Sequence, residues 1–476
     1  MNRKRRFQNR PAYLRWCFTC NVPLIDKKCG LCGEKGKAIQ VSKPGESRFA
    51  MSHERRIILN LFADEYGAHP KRVINKKTII LNKTTGIDRV DEIIIDGIIV
   101  GILEFDIFKK IFRYIPSVQG CAAFEKLTNR KMKVKLENRR HLKGKYINSC
   151  EVEIPDGQFF RKGDYAILVF KNGKVGKGLI KKDLQDGEKT IKVLDILPGN
   201  IKLPKTGSSL EKIINANTGA LKMLEKEAES FMTDCVKKFR KPVNVAFSGG
   251  KDSLVVLDIA RKTGNLSEII FIDTGIEFPE TLEYVKKMQK LTRTKIRCVR
   301  SGKNFFDEAE INGPPAKDDR WCSKTHKIEP MASYIKLNYP EGCITFEGKR
   351  KHESQSRSLS GRIENNPFIE GQTSCYPVFH WSSLAIWIYI FYKKLKYNSL
   401  YDKGFERVGC WMCPAAFDCE FCNMKEMHPE LYKKYSLLLK KWAQKTGFGK
   451  KYLHLGLWRW KTLPNKIVRI TEKEKK

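Results

Sequence analysis

The segment from Val243 to Ala260 constrains this chain more than any other. Val243–Phe247 (VNVAF) is a short apolar run, Ser248-Gly249-Gly250-Lys251-Asp252-Ser253 follows it, and Leu254–Ala260 continues with apolar residues at helical spacing. A strand, a glycine-rich turn and a helix in that order can cradle a phosphate. Glycine lets the backbone come close to an anion. The first helical turn offers unbonded N–H groups and the positive end of the helix dipole. Ser253 suits the start of that helix, and Lys251 adds a point charge. The GxxxxGK[ST] spacing is absent, so this is not a Walker loop.

Downstream residues extend the same pattern. Ile269–Ile272 predicts a second strand, with Asp273-Thr274-Gly275 at its carboxyl end, where open α/β sheets bind ligands. A third strand is expected near Ile296–Val299 and a fourth near Cys343–Phe346. Strands alternating with helical patterns predict an α/β fold with a doubly wound parallel sheet. Residues 208–240 read as one amphipathic helix, opened by a capping box of Ser208 and Glu211.

The N-terminal half reads differently. Residues 150–195 are expected to be all-β, with strand residues at Val152, Ile154, Phe159–Phe160, Tyr165–Phe170 and Val175–Ile180. Asp156-Gly157, Gly163-Asp164 and Asn172-Gly173 punctuate them as turns. Residues 46–140 mix helical and strand patterns. Within them IDRVDEIIIDGIIVGILEFD predicts strands joined by a turn at Asp96-Gly97.

Two cysteine sets stand out. Cys17-x2-Cys20-x8-Cys29-x2-Cys32 has the spacing of two knuckles closing a tetrahedral thiolate site. Its loops are too short and polar to hold a core without a metal. It reads as a zinc ribbon, with a rubredoxin-like iron site as the other option. The second set is Cys322, Cys410, Cys413, Cys419 and Cys422, of which the last four could also form a local zinc site. His53, His69, His141 and His428 lack ligand spacing, and Cys121, Cys150, Cys235, Cys298 and Cys375 read as small buried apolar residues.

Charge and length bound the rest. Lys and Arg number 91 against 53 Asp and Glu, a net charge of +38. Such an excess favours a polyanionic partner through counterion release. No run of 18 apolar residues exists to span a membrane, and no apolar segment follows the basic residues 1–10 as in a signal peptide. The chain is therefore expected in the cytoplasm, with its cysteines as metal ligands or reactive thiols rather than disulfides. A length of 476 residues suggests three or four domains.

SGGKDS resembles the PP-loop of ATP pyrophosphatases. Four further segments resemble the PAPS reductase family of that superfamily, over about residues 235–425: Asp273 to Thr281 (DTGIEFPET), Gly348 to Arg357 (GKRKHESQSR), Arg320 to Pro330 (RWCSKTHKIEP) and Cys410 to Pro414 (CWMCP). The resemblance implies an adenine nucleotide site, for ATP or an adenylylated nucleotide with Mg. Its residues would be Ser248, Gly249, Gly250, Lys251, Asp252, Ser253, Asp273, Thr274, Gly275, Gly348, Arg350, Glu353 and Arg357. Lys251 and Arg350 would stabilise the leaving phosphate, and Cys322 would carry sulfur. It also implies a [4Fe–4S] cluster with Cys322, Cys410 and Cys413 as ligands; Cys422, with Cys419 as the alternative, lies outside the family's common pattern and could supply the fourth. The family's iron–sulfur reductases carry two adjacent cysteines where Cys322-Ser323 stand here. A three-cysteine cluster with an open iron position is thus a further option, suited to sulfur binding. Family reductases carry their nucleophile in a C-terminal Glu-Cys-Gly segment, whereas the last cysteine here is Cys422.

The run from Ile154 to Ile180 resembles a PUA domain, a small barrel found in RNA-modifying proteins. The expected organisation is a basic tail and zinc ribbon (1–45), an unassigned α+β region (46–140), a PUA-like barrel (141–205), a linking helix (206–240), the PP-loop domain (241–400) and a cysteine-rich region (401–476). The expected function is an enzyme that adenylates a substrate with ATP and transfers sulfur to RNA, tRNA-like in kind. The alternatives are a reductase of the sulfonucleotides APS or PAPS, and an RNA-binding protein with an inactive enzyme fold.

Overall fold

The computed structural model describes residues 11–136, 142–197, 199, 201, 203–204, 207–447 and 449–473. The basic tail 1–10 and His141 lie outside them. The chain forms two compact units: Met1–Gly86 with Val90–Asp106 and Phe112–Asn217, and Ile87–Arg89 with Ile107–Ile111 and Thr218–Lys476.

The first unit holds three sheets. A small antiparallel one orders Val22–Leu24, Ala12–Cys17 and Lys37–Val41. A second orders Ser47–Phe49, Ile79–Lys83, Val90–Ile95, Ile98–Asp106 and Ile111–Pro116. Asp96 and Gly97 both take left-handed φ, 52° and 77°, and close the hairpin in which Ile95 faces Ile98. That is the turn type whose twist matches the flanking strands. Phe62 and Tyr66 of helix Ser52–Tyr66 pack with Tyr114 and Phe124 in its core.

The third sheet orders Tyr146–Ile147, Ile191–Leu197, Val175–Ile180, Tyr165–Phe170, Lys131–Val134 and Val152–Glu153. Lys131–Val134 runs parallel to Tyr165–Phe170, and the other pairings are antiparallel. Ile154 and Phe159–Phe160 form no strand. Pro155 lacks an N–H for a ladder there, Phe159 is 80% exposed, and the Phe160 ring instead lies under the Arg130 guanidinium, 4.9 Å away.

The helix of 208–240 runs Leu210–Phe239, and the division between the units falls inside it. Its start is shifted by one residue from the sequence reading. Ser209 Oγ accepts from the Lys212 N–H at 3.1 Å, while the buried Ser208 hydroxyl has no hydrogen-bond partner.

The second unit is built on a mixed sheet in the order Ile296–Arg300, Glu268–Asp273, Val243–Ala246, Cys343–Phe346, Gln372–Cys375 and Ile363–Asn365. The first five are parallel and the last is antiparallel. The chain starts at Val243–Ala246, moves outward on one side, and then returns to lay Cys343–Phe346 on the other. The strand order reverses between these two strands, which opens a crevice at their carboxyl ends. Helix Ser383–Tyr392 is apolar almost all round and buried from Ser383 to Ile390, as a core helix must be. No described helix is long and apolar enough to cross a membrane.

Candidate functional site

The loop Ser248–Gly250 leaves the strand Val243–Ala246 and enters helix Lys251–Lys262 at that crevice. Gly249 has φ 74°, a conformation that favours glycine. Ser253 ties the loop shut: its hydroxyl accepts from the Ser248 N–H at 3.2 Å and donates to the Gly250 carbonyl at 3.0 Å. The Tyr401 hydroxyl accepts from the Lys251 N–H at 2.8 Å. The loop is thus preformed, with its charges gathered behind it.

Those charges form a chain. Lys251 Nζ donates to Asp252 Oδ2 at 2.6 Å, and Arg350 Nε donates to Asp252 Oδ1 at 2.6 Å. Arg350 is 2% exposed. The Arg350 N–H donates to Glu353 Oε2 at 3.0 Å, and Arg357 pairs with the same carboxylate. Burial alone would raise the Asp252 carboxyl. The charges of Arg350 and Lys251 and their hydrogen bonds outweigh it and hold the group at about 2. Gly348 brings this second segment against the loop: a Cβ there would lie 2.7 Å from the Asp252 carbonyl carbon and 2.7 Å from the Ser253 nitrogen.

The turn after Glu268–Asp273 forms the next wall. The Gly275 N–H donates to Asp273 Oδ1 at 2.9 Å, and Arg300 Nε donates to Asp273 Oδ2 at 2.8 Å. Thr274 Oγ1 donates to Glu277 Oε1 at 2.9 Å and lies 3.3 Å from Cys410 Sγ. The Trp411 N–H donates to the Ile276 carbonyl at 3.0 Å, which docks the Cys410–Cys413 segment on this turn.

Thr274 also lines a cavity of about 60 Å³ with Cys322, Cys410, Cys413, His326 and Lys327. Burial pushes the Cys410 thiol up, and pushes Cys322 up to about 11 with help from Cys413. The charge Cys410 would carry as a thiolate is the largest influence raising Lys327. Cys419 and Cys422 lie on helix Asp418–Met427 and do not line this cavity. Their polar neighbours are Asp88, Asp418 and the cations Arg89 and Lys110.

The first cysteine set is a different kind of place. The ligand atoms of Cys17, Cys20, Cys29 and Cys32 all lie within 4.8 Å of one another, and Cys17 Sγ is 3.5 Å from Cys32 Sγ. Thiolates on one tetrahedral metal at about 2.3 Å stand about 3.8 Å apart, so this cluster could hold a single ion. Burial pushes the Cys20 thiol up to about 12. At Cys29 burial also acts upward, but the N–H groups of Cys32 and Leu31 outweigh it and lower that thiol. The segment that carries these cysteines is anchored by the Gly30 N–H donating to the Ala216 carbonyl at 2.8 Å and by the Asn217 side-chain amide donating to the Pro23 carbonyl at 3.0 Å.

Sequence reasoning missed four residues that complete these sites: Tyr401, Arg300, His326 and Lys327. The last two stood inside the quoted segment Arg320 to Pro330, and their position four and five residues after Cys322 was the available signal. Nothing local pointed to Tyr401 or Arg300.

Residues 242–416 match the phosphoadenosine phosphosulfate reductase domain. The chain is 37% identical to the protein MJ0066 of Methanocaldococcus jannaschii over 468 residues, 94% of this chain and 96% of that one. It is 35% identical to MJ0973 of the same organism, over 84% of this chain and 93% of that one. An adenosine 5'-phosphosulfate reductase of Geobacillus sp. is 26% identical over 40% of this chain and 79% of its own length. Among solved structures, a Candida auris phosphoadenylyl-sulfate reductase aligns with TM-score 0.33 and 23% identity, covering 40% of this chain and 94% of that chain. A Candida glabrata FMN adenylyltransferase aligns with TM-score 0.33 and 16% identity, covering 41% and 65%.

Proposed function

Because the chain belongs to one family with MJ0066 and carries a phosphoadenosine phosphosulfate reductase domain, we infer that it is an enzyme that binds an adenine nucleotide at Ser248–Ser253. We propose further that it adenylates an RNA base with ATP and replaces the activated oxygen with sulfur. One observation carries this reading: Thr274 follows the strand Glu268–Asp273, which pairs with the strand leading into Ser248–Ser253, and it also lines the cysteine cavity, 3.3 Å from Cys410 Sγ. A nucleotide-activated centre and a sulfur-bearing group would therefore meet at one turn.

The chemistry balances with hydrosulfide as the incoming group. A base oxygen attacks the α-phosphorus, the bond to the β-phosphate oxygen breaks, and pyrophosphate leaves. Sulfur then bonds to the base carbon, the carbon–oxygen bond breaks, and AMP leaves. Lys251 and Arg350 stabilise charge on the departing phosphate. Asp252 orients both cations or receives magnesium.

Zinc suits Cys17, Cys20, Cys29 and Cys32, whose spacing fits one tetrahedral ion. Cys322, Cys410 and Cys413 suit a larger group. They come from separate chain segments onto one cavity. An iron–sulfur cluster held there would supply a place to bind or pass sulfur. The net charge of +38 and the PUA-like sheet are the proposed basis for RNA binding.

Sulfonucleotide reduction is the second reading, favoured by the names of the Geobacillus and Bacillus relatives. One pair of assays separates the two. Anaerobically purified protein is given ATP, magnesium, sulfide and bulk tRNA, and pyrophosphate is measured. In parallel it is given APS or PAPS with a thiol reductant, and sulfite is measured. RNA-dependent pyrophosphate release is expected. Sulfite release without ATP cleavage would overturn the transfer reading, and neither product would leave a binding protein with an inactive fold.

A further inference from the structure

His326 sits in the cysteine cavity as an unpaid polar group. It is 1% exposed, and neither Nδ1 nor Nε2 has a hydrogen-bond partner. A buried imidazole left so is costly, because one nitrogen keeps a lone pair and the other a proton with nothing to meet them. Its ring is fixed by apolar neighbours: Phe305 at 5.6 Å and Trp321 at 6.1 Å between centroids. The residue lines the same cavity as Cys322, Cys410 and Cys413. It lies four residues after Cys322, in a π-helical turn, Lys324–Ile328, between Trp321–Ser323 and helix Glu329–Asn338. Such turns are frequent at functional sites.

The residues lining that cavity include three cysteines and one histidine, whose charged neighbours are Glu308, Lys303 and Glu329. Cys419 and Cys422 belong to a different helix and do not line it. Ser323 lines it too, but an alcohol is a poorer ligand for iron than an imidazole. Imidazole does ligate iron–sulfur centres, where it replaces a thiolate and raises the potential.

We propose that His326 is the fourth protein ligand of the iron–sulfur cluster held by Cys322, Cys410 and Cys413. The inference rests on the cluster reading above. A neutral imidazole makes the group one unit less negative than four thiolates would.

The test uses the full chain, purified without oxygen, with iron and sulfide quantified and the cluster reduced by dithionite. Pulsed electron paramagnetic resonance is recorded on protein grown with ¹⁴N- or ¹⁵N-histidine. A nitrogen coupling that changes with the histidine isotope is expected. It should vanish in His326→Cys, which keeps about four irons per chain, while His326→Ala falls toward about three. His326→Cys keeps the test valid if the alanine variant fails to fold. Iron and sulfide present without isotope-sensitive coupling, or coupling that survives in either variant, overturns the assignment of His326 and leaves the cluster standing. Zinc with no sulfide overturns both. Pyrophosphate release in the same preparations reads the nucleotide site independently.

Discussion

The two cysteine sets differ in how the chain brings them together. Cys17, Cys20, Cys29 and Cys32 come from one short stretch: Cys17 ends the strand Ala12–Cys17, and the other three lie in the turns around Val22–Leu24 and before Lys37–Val41. Cys322 and the Cys410–Cys413 pair come from distant stretches and meet only once the α/β sheet has formed. Leu14, Trp16, Val22 and Leu24 are buried around the first set, and an ion held there would tie the turns between them. A group held by the second would instead sit on an already folded sheet. The sulfurs of the first set stand at single-ion distances, whereas Cys322, Cys410 and Cys413 line a cavity.

Loss of the first metal should have the largest effect. Cys29→Ser, or chelation, is expected to remove one ion per chain and melt the strands Ala12–Cys17, Val22–Leu24 and Lys37–Val41. Structural zinc contributes about 10 kcal/mol or more in small zinc domains at neutral pH. Metal analysis with limited proteolysis checks it, and a protease-resistant ribbon without metal would break the comparison.

Lys251→Ala comes next. It should reduce ATP-to-AMP turnover by about 100-fold or more while metal content stays unchanged. Steady-state pyrophosphate release measures this, and full activity would remove Lys251 from the proposed chemistry.

A smaller effect concerns acid. The Asp252 carboxyl sits at about 2 in the fold, below its unfolded value of about 3.9. Its stabilisation, on the order of 2 kcal/mol, is present above pH ~4 and lost as pH falls through about 2. Acid unfolding curves should show a steeper limb for the native chain than for Asp252→Asn. Superimposable limbs would count against the buried charge chain. Smallest of all, Ser253→Ala removes the hydroxyl's contacts with the Ser248 N–H, the Ser248 hydroxyl and the Gly250 carbonyl and should cost about 1 kcal/mol in urea unfolding.

The legible parts of the fold are those written locally. The strand and loop at Val243–Ser253 needed only consecutive residues, and Cys343–Phe346 appeared as a short apolar run bounded by polar ones. The Asp96-Gly97 turn was readable because few residue pairs tolerate left-handed φ together. What could not be read depends on distant partners. Asp252 meets Arg350 across 98 residues, and Tyr401 reaches Lys251 across 150. His326 joins the cavity of Cys322, Cys410 and Cys413 through the π-helical turn Lys324–Ile328, which no cysteine spacing marks. The cap at Ser209 rather than Ser208 shows how a one-residue offset escapes a pattern that both serines satisfy.

Gly348 has one more consequence. With no room for even a methyl group between it and the backbone of Asp252 and Ser253, the two loops bear directly on each other. They act as a single machined fit with almost no clearance. Neither can be lengthened or re-aimed alone, so any variation in this crevice must alter both loops at once.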